Sequence, residues 1–344
     1  MVVEKLAVSC EAILHLLKYR IIMSKVEALK LIGNTPMVHL KSLDPKPGVE
    51  IHAKLEFMNP TGSIKDRIIA YMVQKGVEAG KINENTTLVE GSSGNTGASV
   101  SMIASSMGLK SMLFVPDKCS DEKAAIIRSY GAEVTVINAP ESYEAAAENK
   151  AKEDENYYHI DQYNSQLNPE AHYMTIGQEI WKEMDGKVDA FVATASTGGT
   201  ISGIGKRLKE YDPNVKIILA DPEGSIYKPY FEGKEDYMSY KKPFFVEGAG
   251  KAAIIDAMNF NILDDAISFN DENAIRMVQH LAKHEGLMVG GSSGGNVYSA
   301  LQIAKQMEGP AKIVTVLPDS GFKYMSKIFN PEWLKEVGLG HLVE

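Results

Sequence analysis

The residues most able to do chemistry lie at Ser63-Ile64-Lys65-Asp66-Arg67, directly after Asn59-Pro60-Thr61-Gly62. Here one lysine sits at the mouth of an apolar-periodic helix, just past a glycine turn. An ammonium placed where burial and a helix N-terminus both disfavour its charge has a lowered pKa, the condition for forming a Schiff base or carrying a proton. A lone lysine of this kind is ordinarily a surface residue. Its meaning therefore depends on the groups that accompany it along the chain.

Glycine- and serine-rich turns recur at strand ends. Gly91-Ser92-Ser93-Gly94-Asn95-Thr96-Gly97 and Ser196-Thr197-Gly198-Gly199-Thr200 each follow an apolar strand and open a helix. Gly290-Gly291-Ser292-Ser293-Gly294-Gly295 reads as a turn before another helix, and Pro318-Asp319-Ser320-Gly321 ends a last strand. Ser196, Thr197, Gly198, Gly199 and Thr200 combine hydroxyls with adjacent glycines, which suits a phosphate held by main-chain N–H groups. The loop has no Walker lysine, so nucleotide triphosphate cleavage is not expected. Ser92 to Thr96 offers donors suited to a carboxylate, and its residues also suit plain helix capping.

Other patterns carry less. Gly248-Ala249-Gly250-Lys251-Ala252-Ala253 fits GxGxxA, but no strand leads into it and no acidic residue stands at a ribose position, so dinucleotide binding is not expected. His280 and His284 share a helix face without a third ligand, so no metal site is expected there.

These turns need elements to position them. Strands are expected at 51–55, 87–90, 111–115, 133–137, 190–194, 216–220 and 312–317. Helices are expected at 66–79, 96–106, 121–130, 142–152, 171–182, 200–210, 271–285 and 296–307. This alternation predicts an α/β chain with mostly parallel sheets, in which ligands gather at the carboxyl ends of strands. The stretches 162–170 and 221–250 read as site-shaping connections.

A net charge of −9 over 344 residues leaves no basic face for nucleic acid. Cys10 and Cys119 are the sole cysteines and neither lies in a CxxC, which fits a reducing cytoplasm without a disulfide framework or structural zinc. Residues 1–22 show helical apolar spacing broken by charges, with neither a membrane-spanning run nor a signal-peptide layout. They read as an N-terminal extension, with Met23 as a second possible start.

A lysine, a phosphate loop and a carboxylate loop together suit pyridoxal 5′-phosphate acting on an amino acid. At this point the chain resembles the cysteine synthase/cystathionine β-synthase family of fold-type II pyridoxal-phosphate enzymes, from about Ala28 to Leu334. Ile32-Gly33-Asn34-Thr35-Pro36, Asn59–Arg67, Ser92–Gly97, Thr197–Thr200 and Pro318-Asp319-Ser320 carry the likeness. The resemblance implies a two-lobed α/β fold, each lobe a mostly parallel sheet flanked by helices. The large cofactor-binding lobe would comprise 23–63 and 169–335, the smaller lobe 64–168, and the tail 336–344. Lys65 would hold the cofactor and carry the α-proton. Asn95 would bond the ring's 3′-oxygen, Ser196 to Thr200 the phosphate, and Ser292 the pyridine nitrogen. Ser92, Ser93, Thr96 and Gln162 would receive the substrate carboxylate. A serine at the ring nitrogen makes a weaker electron sink than an aspartate, which favours β-elimination over transamination.

Asp161-Gln162-Tyr163, Asp221–Ser225, Val246–Gly250 and Tyr324–Lys327 resemble the cystathionine β-synthase branch more than bacterial O-acetylserine sulfhydrylases. Glu247 could then meet the amino group or hydroxyl of the incoming amino acid; as a loop acid it could equally face solvent. The reaction implied is β-replacement through an aminoacrylate, joining serine to homocysteine. Cysteine synthase chemistry with O-acetylserine or O-phosphoserine and sulfide, a cysteine lyase releasing hydrogen sulfide, and a catalytically silent binding partner are the alternatives. Small amino acids with a thiol or sulfide are the expected partners, in a cytoplasmic homodimer without metal, nucleic acid or membrane. Ser196 stands where the family usually has glycine, which puts the phosphate loop's backbone in question. The resemblance also implies a bare catalytic core without haem or a C-terminal regulatory pair.

Overall fold

The computed structural model describes residues 26–343, so the expected extension at 1–22 lies outside the described residues. The strands are β1 (Met37–His39), β2 (Val49–Leu55), β3 (Thr87–Gly91), β4 (Lys110–Pro116), β5 (Glu133–Ile137), β6 (Tyr157–His159), β7 (Ala190–Thr194), β8 (Lys216–Pro222), β9 (Asp265–Phe269) and β10 (Ala311–Leu317). Among the described residues, one compact unit comprises 26–33, 59–61 and 65–161, and the other 34–58, 62–64 and 162–343.

The first unit is built on a sheet of order β5-β4-β3-β6, parallel throughout. Its glycines set how closely helices approach. A Cβ on Gly91 would lie 2.7 Å from the Cα of Glu144, so only glycine lets the end of β3 meet the helix Tyr143–Glu153.

The second unit carries a sheet of order β1-β2-β10-β7-β8-β9, in which only the edge strand β1 runs antiparallel. Its central strands read as continuous apolar runs because both faces are covered. Ala190, Val192, Ile218, Ala220 and Ile313 face one core with the helices Asp271–His280 and Gly291–Gln306. Phe191, Ala193, Ile217, Leu219, Val314 and Val316 face the other, with Ile176, Ile180, Ile201 and Leu208. The alternation is the period-two geometry of a strand. Thr315 is a buried polar residue within β10, and its hydroxyl donates to the Val192 carbonyl at 2.7 Å.

Three short or half-exposed strands, β1, β6 and β9, were not expected from the sequence. The expected helix 171–182 is two helices, Leu167–Met174 and Ile176–Glu183, broken at Thr175 (φ −118°, ψ −91°). Thr175 turns its hydroxyl back onto the Ala171 carbonyl at 2.7 Å, a local bond that competes with the regular ladder. The helix expected at 271–285 passes into a π-turn at Leu281–Glu285.

The glycine-rich run 290–295 also needs correction. It is not a turn before a helix, because the helix begins at Gly291. A Cβ on Gly294 would lie 2.1 Å from the Ala274 carbonyl oxygen, and one on Gly295 would lie 2.3 Å from the Phe269 ring. These glycines serve close packing inside the helix, where their low helical propensity is outweighed by tertiary contact.

Candidate active site

In the first unit, Lys65 opens the helix Lys65–Glu78, as its position after the glycine turn predicts. The next residue, Asp66, is fully buried and fixes this opening. Its carboxylate accepts from the Thr61 N–H at 2.8 Å and the Thr61 hydroxyl at 2.6 Å. It also accepts from the Ser99 hydroxyl at 2.5 Å, and Ser99 lies in the helix Asn95–Met107. The starts of the helices bearing Lys65 and Asn95 are thereby tied within one unit.

The helix Asn95–Met107 has Gly94 as its N-cap and no side-chain cap. Ser92 accepts from the Gly94 N–H at 3.3 Å, and a Cβ on Gly97 would come within 2.4 Å of the Ser92 carbonyl oxygen. Ser92, Ser93 and Asn95 are half-buried around these first-turn N–H groups, while Thr96 is buried. Cys119 lies beside Ser93, and burial pushes its thiol pKa up, so it stays protonated at neutral pH.

In the second unit, β7 and β10 are adjacent and parallel, so their following loops leave the same edge of the sheet. The loop after β7 is Ser196 to Thr200. Gly198, at φ +83°, is the N-cap of the helix Gly199–Tyr211, again without a side-chain cap. By contrast Ser120, Ser142, Asn270 and Asn330 cap other helices with their side chains. A helix start leaves its first N–H groups without intrahelical partners, and here no side chain takes them.

The loop is held from beneath. Asn168 donates through Nδ2 to the Gln162 carbonyl at 2.7 Å and to the Thr197 hydroxyl at 3.0 Å. Because Thr197 accepts that bond, its own proton can be donated to another group. Tyr227 donates to the Ser196 carbonyl at 2.7 Å, the Gly250 N–H donates to the Ala195 carbonyl at 2.7 Å, and Thr200 pairs with His172 at 3.2 Å. A Cβ on Gly199 would overlap Asn168 Oδ1 at 1.9 Å, and one on Gly198 would meet Met258 at 2.5 Å. Among described non-glycine residues only Asn34, Asp161 and Asp185 have positive φ, so Ser196 adopts ordinary backbone without strain.

Beyond β10, three segments interlock. Ser63 bridges Asp319, and Val289 bridges Ser320. The Ile64 N–H donates to the Pro318 carbonyl at 2.8 Å, fixing the backbone one residue ahead of Lys65. Asp319 accepts from the Tyr324 hydroxyl at 2.6 Å, while its backbone carbonyl accepts from the Gly290 N–H at 3.1 Å. Ser292 follows in the first turn of a helix with a glycine N-cap and no side-chain cap, and is 4% exposed. Asn296, deeper in that helix, accepts from the Thr194 N–H at 2.5 Å and donates to the Val316 carbonyl at 2.8 Å. It locks the helix to the ends of β7 and β10.

Gln162 is buried in the second unit, and its half-buried neighbour Tyr163 has the Lys251 ammonium 4.3 Å from its ring centroid. These two residues therefore belong to a different unit from Ser92, Ser93 and Thr96. Glu247 is half-buried and ion-paired with Lys327 at 2.5 Å. At its neighbour Gly248, an added Cβ would stand 4.0 Å from the Ser292 hydroxyl. The GxGxxA match at Gly248–Ala253 has neither a strand before it nor a helix after it. The His280 and His284 rings lie with centroids 4.5 Å apart and planes tilted by 35°, and His280 pairs with Ser42 at 2.8 Å.

Residues 28–319 match the family described as Pyridoxal-phosphate dependent enzyme. The chain belongs to that family. It is 38% identical over 320 residues to cystathionine beta-synthase of Apis mellifera, covering 91% of this chain and 63% of that protein. It is 38% identical to the O-acetylserine dependent cystathionine beta-synthase of Bacillus subtilis (strain 168), covering 87% of this chain and 95% of that one. A cysteine synthase of Staphylococcus aureus (strain Mu50) is 36% identical, with 86% and 94% covered. Among solved structures, O-ureido-L-serine synthase superposes with a TM-score of 0.81 at 27% identity, covering 88% of this chain and 94% of that one. The fold-type II architecture expected from the sequence is thus the one present.

As a member of this family the chain is a pyridoxal-phosphate enzyme, and its residues fit that cofactor. The Ser196–Thr200 cup, with its uncapped helix start and its free hydroxyl proton on Thr197, suits the phosphate dianion. Buried Ser292 suits a neutral ring nitrogen, since no carboxylate or ammonium is needed to satisfy it. Sequence reasoning missed the residues that brace these loops and helix starts, namely Thr61, Asp66, Ser99, Asn168, Tyr227 and Asn296. Their types are ordinary, and their roles arise only from partners distant in the chain.

Proposed function

We propose that this protein catalyses β-replacement on a serine- or cysteine-type amino acid, with serine and homocysteine giving cystathionine as its leading reaction. The observation that carries the reading is the phosphate cup at Ser196–Thr200, buttressed by Asn168 and Tyr227, on the same sheet edge as Asp319 and the backbone preceding Lys65. The bound cofactor supplies the electron sink that lets an α-proton and a β-substituent leave.

In this reading Lys65 holds the cofactor and moves the α-proton through Nζ. Asn95 orients the ring at its 3′-oxygen, and Ser292 faces the ring nitrogen without charging it. Ser196, Thr197, Gly198, Gly199 and Thr200 bind the phosphate. Ser92, Ser93, Thr96 and Gln162 receive the substrate carboxylate, with Tyr163 beside it. Glu247, steered by Lys327, meets the amino group or hydroxyl of the amino acid. The name of the Apis mellifera relative supports cystathionine formation, and that of the Bacillus subtilis relative supports it with O-acetylserine as the donor. The protein works as a homodimer in the cytoplasm, and among the described residues no helix is long and apolar enough to cross a membrane.

A second reading, cysteine synthase using O-acetylserine and sulfide, is favoured by the Staphylococcus aureus relative. Product analysis separates the two. The purified enzyme is given serine or O-acetylserine with homocysteine or sulfide, and cystathionine and cysteine are quantified by mass spectrometry. Cystathionine from serine and homocysteine at the highest kcat/KM supports the leading reaction. Serine left untouched while O-acetylserine and sulfide yield cysteine overturns it in favour of the second.

A further inference from the structure

A cluster of metal-ligating side chains lies away from these loops, on the edge of the second unit's sheet. In the β1–β2 ribbon, His39 is the direct cross-strand partner of His52. Glu50 is two residues before His52, so the strand period places both on one face. One ligand atom from each of His39, Glu50 and His52 lies within 4.8 Å of the others, and the two imidazoles stack with centroids 4.8 Å apart. Asp44, just past the turn Lys41–Leu43, closes the group from the other side. His39 Nε2 is 2.9 Å from both Asp44 oxygens, and His52 Nε2 is 2.8 Å from Glu50 Oε2. All four side chains are partly open to solvent, the imidazoles 24% and 15% and the carboxylates 29% and 35% exposed.

We propose that His39, Asp44, Glu50 and His52 form a site for a divalent transition metal of the Zn2+ class. Two imidazoles and two carboxylates are a donor set that zinc accepts, whereas magnesium and calcium favour oxygen-only shells. Tetrahedral zinc holds its ligand atoms about 3.3 Å apart, so the 4.8 Å spread of His39, Glu50 and His52 closes by small side-chain rotations, while Asp44 enters through its place beside His39 Nε2. Each Nε2 now faces its carboxylate. Once its proton has moved to Nδ1 or to solvent, the ion can take the place of that hydrogen bond, and its charge is balanced by Asp44 and Glu50.

The surroundings set its role and its tuning. Lys312 is the register partner of Glu50 on β10, and its ammonium lies 3.9 Å from Glu50 Oε2. It competes with the ion for that carboxylate. Glu50 and Lys312 pair five register positions before Leu55 and Leu317, about 16 Å from the carboxyl ends that carry the cofactor loops. The metal therefore takes no part in the reaction. It staples the edge strand and the 40–48 connection to β2.

The test uses the untagged, cofactor-loaded protein, dialysed against chelator and titrated with ZnSO4 in competition with a chromophoric chelator. One Zn2+ per chain is expected, undisturbed by millimolar Mg2+ or Ca2+, together with a zinc-dependent rise in Tm. His39→Gln and His52→Gln should each weaken binding by at least about tenfold, Glu50→Gln likewise, and Lys312→Gln should tighten it. His280→Gln, at the neighbouring histidine pair, should leave it unchanged. No binding to the unaltered protein, or unchanged affinity in both His39→Gln and His52→Gln, overturns the proposal. Should a histidine variant fail to fold, the opposite shifts of Glu50→Gln and Lys312→Gln decide, and equal affinity in those two rejects the site.

Discussion

Replacing Gly199 by alanine tests whether the proposed phosphate cup is positioned by Asn168. The added Cβ would stand 1.9 Å from Asn168 Oδ1, 2.5 Å from its Cγ and 3.0 Å from its Nδ2, and these are its three nearest neighbours. Relief requires the amide to swing away from the Gln162 carbonyl and the Thr197 hydroxyl, which it now holds at 2.7 and 3.0 Å. Each such bond contributes about 1 kcal/mol net, so Gly199→Ala costs about 2 kcal/mol, within the usual range for overpacking. Asn168→Ala removes the same two bonds directly and costs about as much. In the double variant the clash has lost its partner, so the total should stay near 2 kcal/mol rather than reach about 4. Two assays follow it: urea unfolding of the apo protein, and titration of the apo protein with pyridoxal phosphate. Each single variant should lose up to about 30-fold in cofactor affinity if the whole cost falls on the cup. Additive losses in the double variant, summed over the two assays, would refute the coupling between Asn168 and Gly199.

Other expectations follow from single residues. Lys65→Ala should lower turnover by at least about 10³-fold in a steady-state product assay while leaving the circular dichroism spectrum intact. Burial pushes the Asp221 pKa up to about 6, with Oδ2 accepting from the Lys228 N–H at 2.8 Å and Oδ1 unpartnered. The folded state therefore holds this proton more tightly than the unfolded chain, and stability falls as pH rises from about 4 to about 6. Asp221→Asn should flatten that window and stabilise the protein above it by up to about 3 kcal/mol, read as urea midpoints across pH. An unchanged pH profile would show that Asp221 is not the group responsible. Glu247→Gln should shift donor preference from serine towards O-acetylserine by about tenfold in kcat/KM, with little change in Tm; an unaltered ratio would remove Glu247 from substrate contact.

Much of this architecture is legible because its strands are buried on both faces. The apolar runs Phe191–Ala193 and Ile217–Ala220 are strong signals, and each ends at a glycine- or proline-bearing turn. The three-residue strands β1 and β6 have too few residues for a period to show, and β9 alternates weakly behind Asp265. Residues 290–295 mislead because glycine ordinarily marks turns. Here tertiary packing against Ala274 and Phe269 demands it within a helix. The loops proposed for the site stand out in the sequence by hydroxyl and glycine density before a helix. Their supports do not: Asn168 acquires its role from Thr197, 29 residues away, and Asp66 from Ser99, 33 residues away. The break at Thr175 depends on one side-chain hydroxyl, which a search for helical periodicity passes over.

Lys65 is the residue proposed to hold the cofactor. Borohydride reduction of the pyridoxal-phosphate-loaded enzyme, followed by proteolysis and tandem mass spectrometry, reads that directly. A phosphopyridoxyl group is expected on the ε-amino group of Lys65. A label on another lysine, or Lys65 recovered unmodified from fully loaded enzyme, would contradict it.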